Sequence, residues 1–186
     1  MESCITFKNL SIGYRPKHQL RVIASAVSAS LHPGELTCLI GANGVGKSTL
    51  LRTLCGFQPA LDGEILLQNR PLSTYPAQQL ARQIGVVLTS RIDVPQLSVK
   101  EIVGIGRSPY TNFWGTLTPA DQQIVDEAIH QVGIPHLAQR NISELSDGER
   151  QKTMIAKALA QQTRIIILDE PTAFLDFPSK VETLQM

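Results

Sequence analysis

Apolar and polar residues alternate in two N-terminal stretches, residues 5–10 and 22–31, and this two-residue period predicts two β-strands. Compact apolar runs at residues 36–40, 84–88 and 165–168 are short enough to be buried strands. Another strand is predicted at residues 64–67, and a turn is predicted at Gly13 and Tyr14. The first part of the chain therefore carries mainly antiparallel strand signals.

Apolar residues at helical spacing predict a helix at residues 48–55, which Gly56 is expected to end. A second, short helix is predicted at residues 76–83, with Pro76 as its start. Three later helices each begin with a Ser or Thr that is followed three residues on by an acidic residue, which is the capping-box pattern or a close relative of it. They start at Ser98, Thr118 and Ser146. These signals predict a helical subdomain over about residues 91–160.

Length and composition predict one domain over residues 1–186, because 186 residues with 42% apolar content can bury one sizeable core. The 17 basic and 16 acidic residues give a net charge of +1, which argues against a nucleic-acid partner. No apolar run approaches the ~18 residues of a membrane helix, and the N-terminus lacks the order of a signal peptide. We therefore expect a cytoplasmic protein. Its three cysteines lie far apart and indicate neither a disulfide framework nor a zinc site.

The glycine-rich stretch at residues 41–49 matches the phosphate-binding pattern G-x-x-x-x-G-K-[ST] between a predicted strand and a predicted helix. Its glycines let backbone N–H groups turn toward one centre, and the helix N-terminus favours an anion. Lys47 would reach the β- and γ-phosphates of a nucleotide, and the Ser48 hydroxyl would ligate Mg²⁺. The alternative is a plain turn before a helix. The predicted contact residues are Gly41, Ala42, Asn43, Gly44, Val45, Gly46, Lys47, Ser48 and Thr49.

Three other features allow more than one interpretation. Tyr14 could cap a small core or stack on adenine. Residues 106–115 hold three of the chain's nine aromatic residues, and this segment either packs a local satellite core or contacts a partner. The adjacent carboxylates Asp169 and Glu170 follow a predicted buried strand, where two charges are costly unless they have a function.

The motif set resembles the nucleotide-binding subunit of an ATP-binding cassette (ABC) transporter. The phosphate loop, residues 145–149 and residues 165–170 occur in that family's order, and the likeness runs from Tyr14 to Asp176. The resemblance implies an α/β P-loop NTPase fold of the ABC type. It would have a mainly parallel core sheet, an N-terminal antiparallel β part and a helical subdomain, with the final strands missing.

The resemblance also implies roles for single residues toward ATP and Mg²⁺. Tyr14 would stack on adenine, Asp169 would hold Mg²⁺ largely through water, and Glu170 would act as the general base or orient the attacking water. Ser146 and the backbone of Gly148 would contact the γ-phosphate of ATP bound to a second copy, because the family sandwiches two nucleotides between head-to-tail subunits. Asp176 would face that second copy.

Within the family, residues 104–110 and 113–115, with residues 117, 118 and 121, resemble ATPases of iron-siderophore, haem and cobalamin importers. The implied partners are transmembrane permease subunits and, indirectly, a substrate-binding protein, at the cytoplasmic face of the membrane. The aromatic segment would then lie near the permease. The alternatives are a soluble ABC ATPase without a transport role and a hydrolysis-deficient nucleotide-binding remnant.

The sequence departs from the family pattern at three places. Asp147 and Glu149 replace residues of the usual Leu-Ser-Gly-Gly-Gln signature, and we expect Asp147 to face away from the phosphate while Glu149 caps its own helix. Ser90 stands where a glutamine is usual. The histidine that the family places after the Asp176 helix has no counterpart in this chain. ATP binding is therefore a firmer expectation than ATP hydrolysis.

Overall fold

The computed structural model describes residues 3–15, 19–88 and 96–172. The chain divides into two compact units, Met1–Pro76 and Ala77–Met186, which are described one at a time. Within the described residues, no helix is both long enough and apolar enough to cross a membrane.

The first unit is built on a four-stranded antiparallel sheet in the order β2-β1-β3-β4. The side chains of Ile5 and Phe7 and, after a register shift, those of Leu10 and Ile12 are buried along β1, so the predicted two-residue alternation is interrupted between Phe7 and Leu10. The strands are β1 (Ile5–Tyr14), β2 (Arg21–Leu31), β3 (Asp62–Leu67) and β4 (Arg70–Pro71).

Strand β1 continues past the predicted end at residue 10, and the turn predicted at Gly13 and Tyr14 is wrong. Gly13 pairs with Val22 and Tyr14 pairs with Arg21, so both residues belong to the strand. The pairing continues across register shifts in β1, and Gly13 permits a very close approach of the two strands. A Cβ atom on Gly13 would lie only 2.0 Å from the carbonyl oxygen of Arg21.

Helix α1 (Lys47–Leu54) follows the glycine-rich loop and matches the predicted helix to within one residue at each end. It ends at Cys55, and Gly56 then takes a positive φ of 74°, the left-handed conformation that commonly follows a helix. A short 3₁₀ segment, Leu72–Thr74, closes the first unit.

The strand predicted at residues 36–40 is absent from the structure. These residues form no secondary structure, and Leu36 and Ile40 are 92% and 91% exposed. An apolar run becomes a strand only when a neighbouring strand offers it hydrogen bonds. In the described part of the first unit, the sheet pairs β1 with β2 and β3, and β3 with β4.

The second unit contains the parallel strand pair β5 (Ile84–Val87) and β6 (Ile165–Leu168), preceded by the short helix α2 (Ala77–Ala81). The mainly parallel sheet that was expected is represented in the described residues by this single pair. The expectation that β6 is fully buried is wrong, because Ile166 and Leu168 are exposed. A strand is enclosed only when both of its edges and both faces are covered, and β6 pairs with β5 alone among the described residues.

Three helices, α3 (Val99–Gly104), α4 (Pro119–Gln131) and α5 (Asp147–Ala160), share one apolar core in the second unit. Each begins with a capping box, at Ser98, Thr118 and Ser146, as the sequence predicts. Short 3₁₀ segments occupy Ile105–Tyr110, Pro135–Leu137 and Ile142–Glu144. The fully buried members of the core include Val99, Ile102, Val103, Val125, Ile129 and Ala156.

Candidate nucleotide-binding site

The glycine-rich loop of the first unit is shaped by two glycines with positive φ, Gly44 at 78° and Gly46 at 110°. Gly46 is also the residue immediately before α1, and a Cβ atom on it would lie 2.4 Å from the side chain of Ile23. Glycine is therefore required at position 46 both for its conformation and for the space. The loop approaches the sheet closely at this residue.

Within the described residues, α1 starts without a side-chain cap and without an acidic residue in its first turn. Helices α3, α4 and α5 each carry a carboxylate at that position, from Glu101, Asp121 and Glu149. The first backbone N–H groups of a helix have no partner inside the helix and carry a partial positive charge. The start of α1 therefore suits an anionic ligand.

The ammonium group of Lys47 lies over the loop and donates hydrogen bonds to the carbonyl oxygens of Gly41 and Ala42, at 2.9 and 3.0 Å. Lys47 and Ser48 are partly accessible, and the loop residues before Gly46 are exposed. The positive charge and the loop N–H groups thus lie on an accessible surface. This arrangement fits a polyphosphate.

Tyr14 and Thr49 meet beside this loop, where their hydroxyl oxygens lie 2.7 Å apart. Tyr14 is the last residue of β1 and is 42% exposed, whereas Thr49 lies in α1 and is 6% exposed. Sequence reasoning missed this contact, because the two residues are 35 positions apart and no local pattern connects them. The interpretation of Tyr14 as a buried core cap does not fit its exposure.

In the second unit, Asp169 and Glu170 follow β6 and differ sharply in environment. Asp169 is buried, and its backbone N–H donates to the carbonyl oxygen of Val87 at 2.9 Å, which extends the pairing of β6 with β5. Glu170 is exposed and has a φ of 49°. Six other described non-glycine residues also have a positive φ, so the exposure of Glu170 and its place after β6, rather than its φ, make it a candidate site residue.

The predicted capping role of Glu149 is confirmed. Its carboxylate accepts hydrogen bonds from the backbone N–H and the hydroxyl of Ser146, both at 2.8 Å. These bonds, first the backbone one, lower the pKa of Glu149. Asp147 lies 3.9 Å from the guanidinium of Arg150. Gly148 occupies the first turn of α5 together with these residues.

Two predicted positions, Ser90 and Asp176, lie outside the described residues. Among the residues that are described, no three or more His, Cys, Asp or Glu side chains cluster as a metal site. Mg²⁺ in nucleotide sites is held by one or two protein oxygens together with phosphates and water. The hydroxyl of Ser48 and the carboxylate of Asp169 have the right chemistry for such ligands.

The aromatic segment projects Phe113 and Trp114 into solvent, at 94% and 84% exposure. Their rings contact each other edge to face, with centroids 5.5 Å apart. The turn that carries them is held by Asn112, whose side-chain oxygen accepts from the backbone N–H groups of Trp114 and Thr116 at 3.1 and 3.2 Å. The satellite-core interpretation is therefore wrong for Phe113 and Trp114.

A glycine-rich loop that ends in Lys-Ser at a helix start, and a parallel strand that ends in Asp-Glu, define a P-loop nucleotide-binding protein. The sequence profile of the family described as ABC transporter matches residues 24–173. The chain belongs to the ABC transporter family.

Relatives in the same family are named as transport ATP-binding proteins. An uncharacterised ABC transporter ATP-binding protein of Methanocaldococcus jannaschii is 41% identical over 94% of this chain and 59% of its own length. The ferric enterobactin transport ATP-binding protein FepC of Escherichia coli is 34% identical over 96% of this chain and 65% of its own length. The chain thus spans somewhat less than two thirds of these relatives.

Solved structures agree with the fold expected of this family. An ABC transporter described as of the metal-chelate type, in an inward-facing conformation, superposes with a TM-score of 0.83 at 30% identity. That match covers 100% of this chain and 66% of the other. CbiO1 of Clostridium perfringens, part of the transporter complex CbiONQ, gives a TM-score of 0.84 at 28% identity, with 100% and 72% covered. The predicted α/β P-loop fold of the ABC type is confirmed.

Proposed function

We propose that this chain is the ATP-binding, energy-coupling subunit of an ABC importer, and that its ATPase activity drives transport. The observation that carries the proposal is the loop before α1, where the ammonium of Lys47 lies on an accessible surface beside a helix start that has no side-chain cap. Membership of the ABC transporter family supports ATP as the nucleotide. Residues 1–186 would belong to one ABC ATPase domain, with a helical subdomain at about residues 91–160.

Binding of ATP would be divided among the residues already described. Lys47 and the backbone of the loop would hold the phosphates, and the ring of Tyr14 would stack on adenine. Ser48 and Asp169 would ligate Mg²⁺, whose chemistry when bound is to neutralise charge on phosphate oxygens. Glu170 would orient the attacking water or accept its proton.

The signature residues would serve a second copy of the chain. Ser146 and Gly148 begin α5, where backbone N–H groups and the helix dipole favour a phosphate. We propose that they contact ATP bound to the other copy in a head-to-tail dimer, with Asp176 facing that copy. Glu149 already neutralises part of this helix start, so the hydroxyl of Ser146 must leave the carboxylate of Glu149 before it can donate to a phosphate.

The proposed cargo is an iron chelate, or alternatively cobalamin. The names of several relatives support the first, among them FepC for ferric enterobactin and the iron(3+)-hydroxamate import protein FhuC of Bacillus subtilis. The chain would work at the cytoplasmic face of a membrane with permease subunits and, through them, a substrate-binding protein.

The exposed aromatic pair Phe113 and Trp114 is the proposed contact surface for the permease. Large exposed apolar side chains on a structured turn are typical of interaction sites. Replacing Trp114 by Ala should weaken association with the permease and leave MgATP affinity unchanged. Retention of a full complex in pull-down experiments with the Trp114→Ala variant would contradict this assignment.

Calorimetric titration with MgATP tests the central proposal. The Lys47→Ala variant should lose most of the affinity, because it removes the positive charge that Lys47 holds over the loop. Lys8→Ala is the matched control, since Lys8 is an exposed lysine of the same unit on β1. Equal affinity of the two variants, or no binding of MgATP to the unmodified chain, would refute the proposed site.

Two further measurements separate the alternatives. Co-purification with a multi-spanning membrane protein supports the importer, and its absence supports a soluble ABC ATPase. ATP turnover that falls in the Glu170→Gln variant supports hydrolysis, whereas binding without turnover in the unmodified chain supports the hydrolysis-deficient alternative.

A further inference from the structure

The contact between the hydroxyl groups of Tyr14 and Thr49 joins the sheet of the first unit to the helix that follows the phosphate loop. The two oxygens are 2.7 Å apart, a normal length for a hydrogen bond between hydroxyls. Thr49 follows Ser48 directly, within the first turn of α1. The contact therefore lies at the start of α1, which the phosphates would face, and Thr49 is two residues from Lys47.

Both ends of this contact are held in place by the fold. Tyr14 is anchored through its backbone, which pairs with Arg21 of β2. Thr49 is buried, and its carbonyl oxygen accepts from the hydroxyl of Thr53 at 2.8 Å. A tyrosine has two side-chain torsions, so fixing its Cα and its hydroxyl leaves the ring little freedom. The ring nevertheless remains 42% exposed.

We propose that the Tyr14–Thr49 hydrogen bond is a positioning contact that holds the Tyr14 ring at a set distance from the phosphate loop. Because this bond fixes the distance between the ring and the loop, the base can stack on Tyr14 while the polyphosphate binds the loop. The site therefore binds a nucleoside triphosphate more tightly than a bare polyphosphate. This inference rests on the proposed ATP site and goes beyond it. It assigns the hydroxyls, rather than the ring alone, a part in ligand selection.

Pre-organisation is the physical reason to expect an effect on affinity. A ring that is already held in its binding position loses less conformational freedom when a base stacks on it. Removing either hydroxyl leaves the ring area and the loop charges unchanged. The loss should therefore appear only for ligands that carry a base.

The experiment measures two dissociation constants by calorimetry, one for MgATP and one for magnesium tripolyphosphate. Tyr14→Phe and Thr49→Val should each bind MgATP about three- to tenfold more weakly, the value of one hydrogen bond. Tyr14→Phe should bind tripolyphosphate as the unmodified chain does. The double variant should be no weaker than the weaker single variant, because each change breaks the same bond.

Two further variants separate the hydrogen bond from a general effect of substitution. Tyr75→Phe is the matched control, since Tyr75 donates its hydroxyl to the carbonyl oxygen of Leu67 at 3.0 Å in the same unit. It should bind both ligands normally. Thr49→Ser keeps a hydroxyl at position 49 and should retain most of the affinity for MgATP.

Normal MgATP binding by Tyr14→Phe would overturn the inference. An equal loss of tripolyphosphate binding would also overturn it, because the contact would then support the loop as a whole. If the unmodified chain binds tripolyphosphate and MgATP equally, no base is recognised and the inference fails while the phosphate site stands. If it binds neither ligand, the proposed function itself fails.

Discussion

Replacing Arg107 by Met tests a buried charged side chain of the second unit that has several hydrogen-bond partners. Its guanidinium donates to the carboxylate of Asp121 at 2.8 Å, to the carbonyl oxygen of Ala160 at 2.9 Å and to the side chain of Gln162 at 3.2 Å. It also lies 4.1 Å from the centre of the Tyr110 ring. Arg107 and Asp121 are both only 6% exposed, so this is a buried ion pair.

The expected loss of stability follows from that burial. Breaking a buried ion pair by removing one partner costs about 3–5 kcal/mol, because the remaining charge has lost its counter-ion. Asp121 keeps its hydrogen bonds from the hydroxyl and the backbone N–H of Thr118, at 2.6 and 3.0 Å, so we expect a loss of about 3 kcal/mol, at the low end of this range. For a chain of this size that corresponds to a fall in Tm of roughly 6–12 °C.

Urea and thermal unfolding, followed by circular dichroism at a helical wavelength, measure this loss. Arg164→Met is the matched control, because Arg164 is an exposed arginine of the same unit and its replacement should change stability little. A double-mutant cycle with Asp121→Asn then isolates the pairwise energy. A loss for Arg107→Met no larger than that for Arg164→Met would refute the reasoning, and so would additive effects in the cycle.

Two other predictions concern acid stability and the phosphate loop. Hydrogen bonds, first from the Thr118 hydroxyl, lower the pKa of Asp121 from 3.8 to about 2. The ionised carboxylate therefore stabilises the fold above about pH 4, and this contribution is lost as the pH falls toward 2. When the free energy of unfolding is measured against pH, the Asp121→Asn variant should lack this loss of stability. The same loss in the variant and in the unmodified chain would contradict the assignment. Gly46→Ala should abolish MgATP binding, since residue 46 has a φ of 110° and its Cβ would meet Ile23 at 2.4 Å. Gly34→Ala is the control, with a positive φ but open space around it, and equal binding by the two variants would count against the steric explanation.

Local sequence patterns predicted the short-range features of this protein well. The three capping boxes each connect residues three positions apart, so the residue types alone determine the contact. Local patterns also predicted the helix after the glycine-rich loop, the capping role of Glu149, and the strands β1, β2 and β5. The family itself was evident from the order of its motifs.

Several features that depend on distant neighbours were predicted wrongly or not at all. Residues 36–40 are apolar and suited to a strand, but pairing requires a second strand that the run itself cannot specify. The turn expected at Gly13 and Tyr14 is a strand, because β2 pairs with both residues. The exposure of Ile166 and Leu168 likewise depends on what covers β6.

The candidate site divides in the same way. The sequence alone determined the phosphate loop, because its backbone turn depends on glycines and its charge on a lysine, and these residues are close together in the chain. Only the tertiary structure decided that the hydroxyl of Tyr14 bonds to Thr49 and that Arg107 bonds to Asp121. The physical reason is the range of the interactions. Capping and loop conformation act over a few residues, whereas strand pairing, burial and these contacts require segments that only the folded chain brings together.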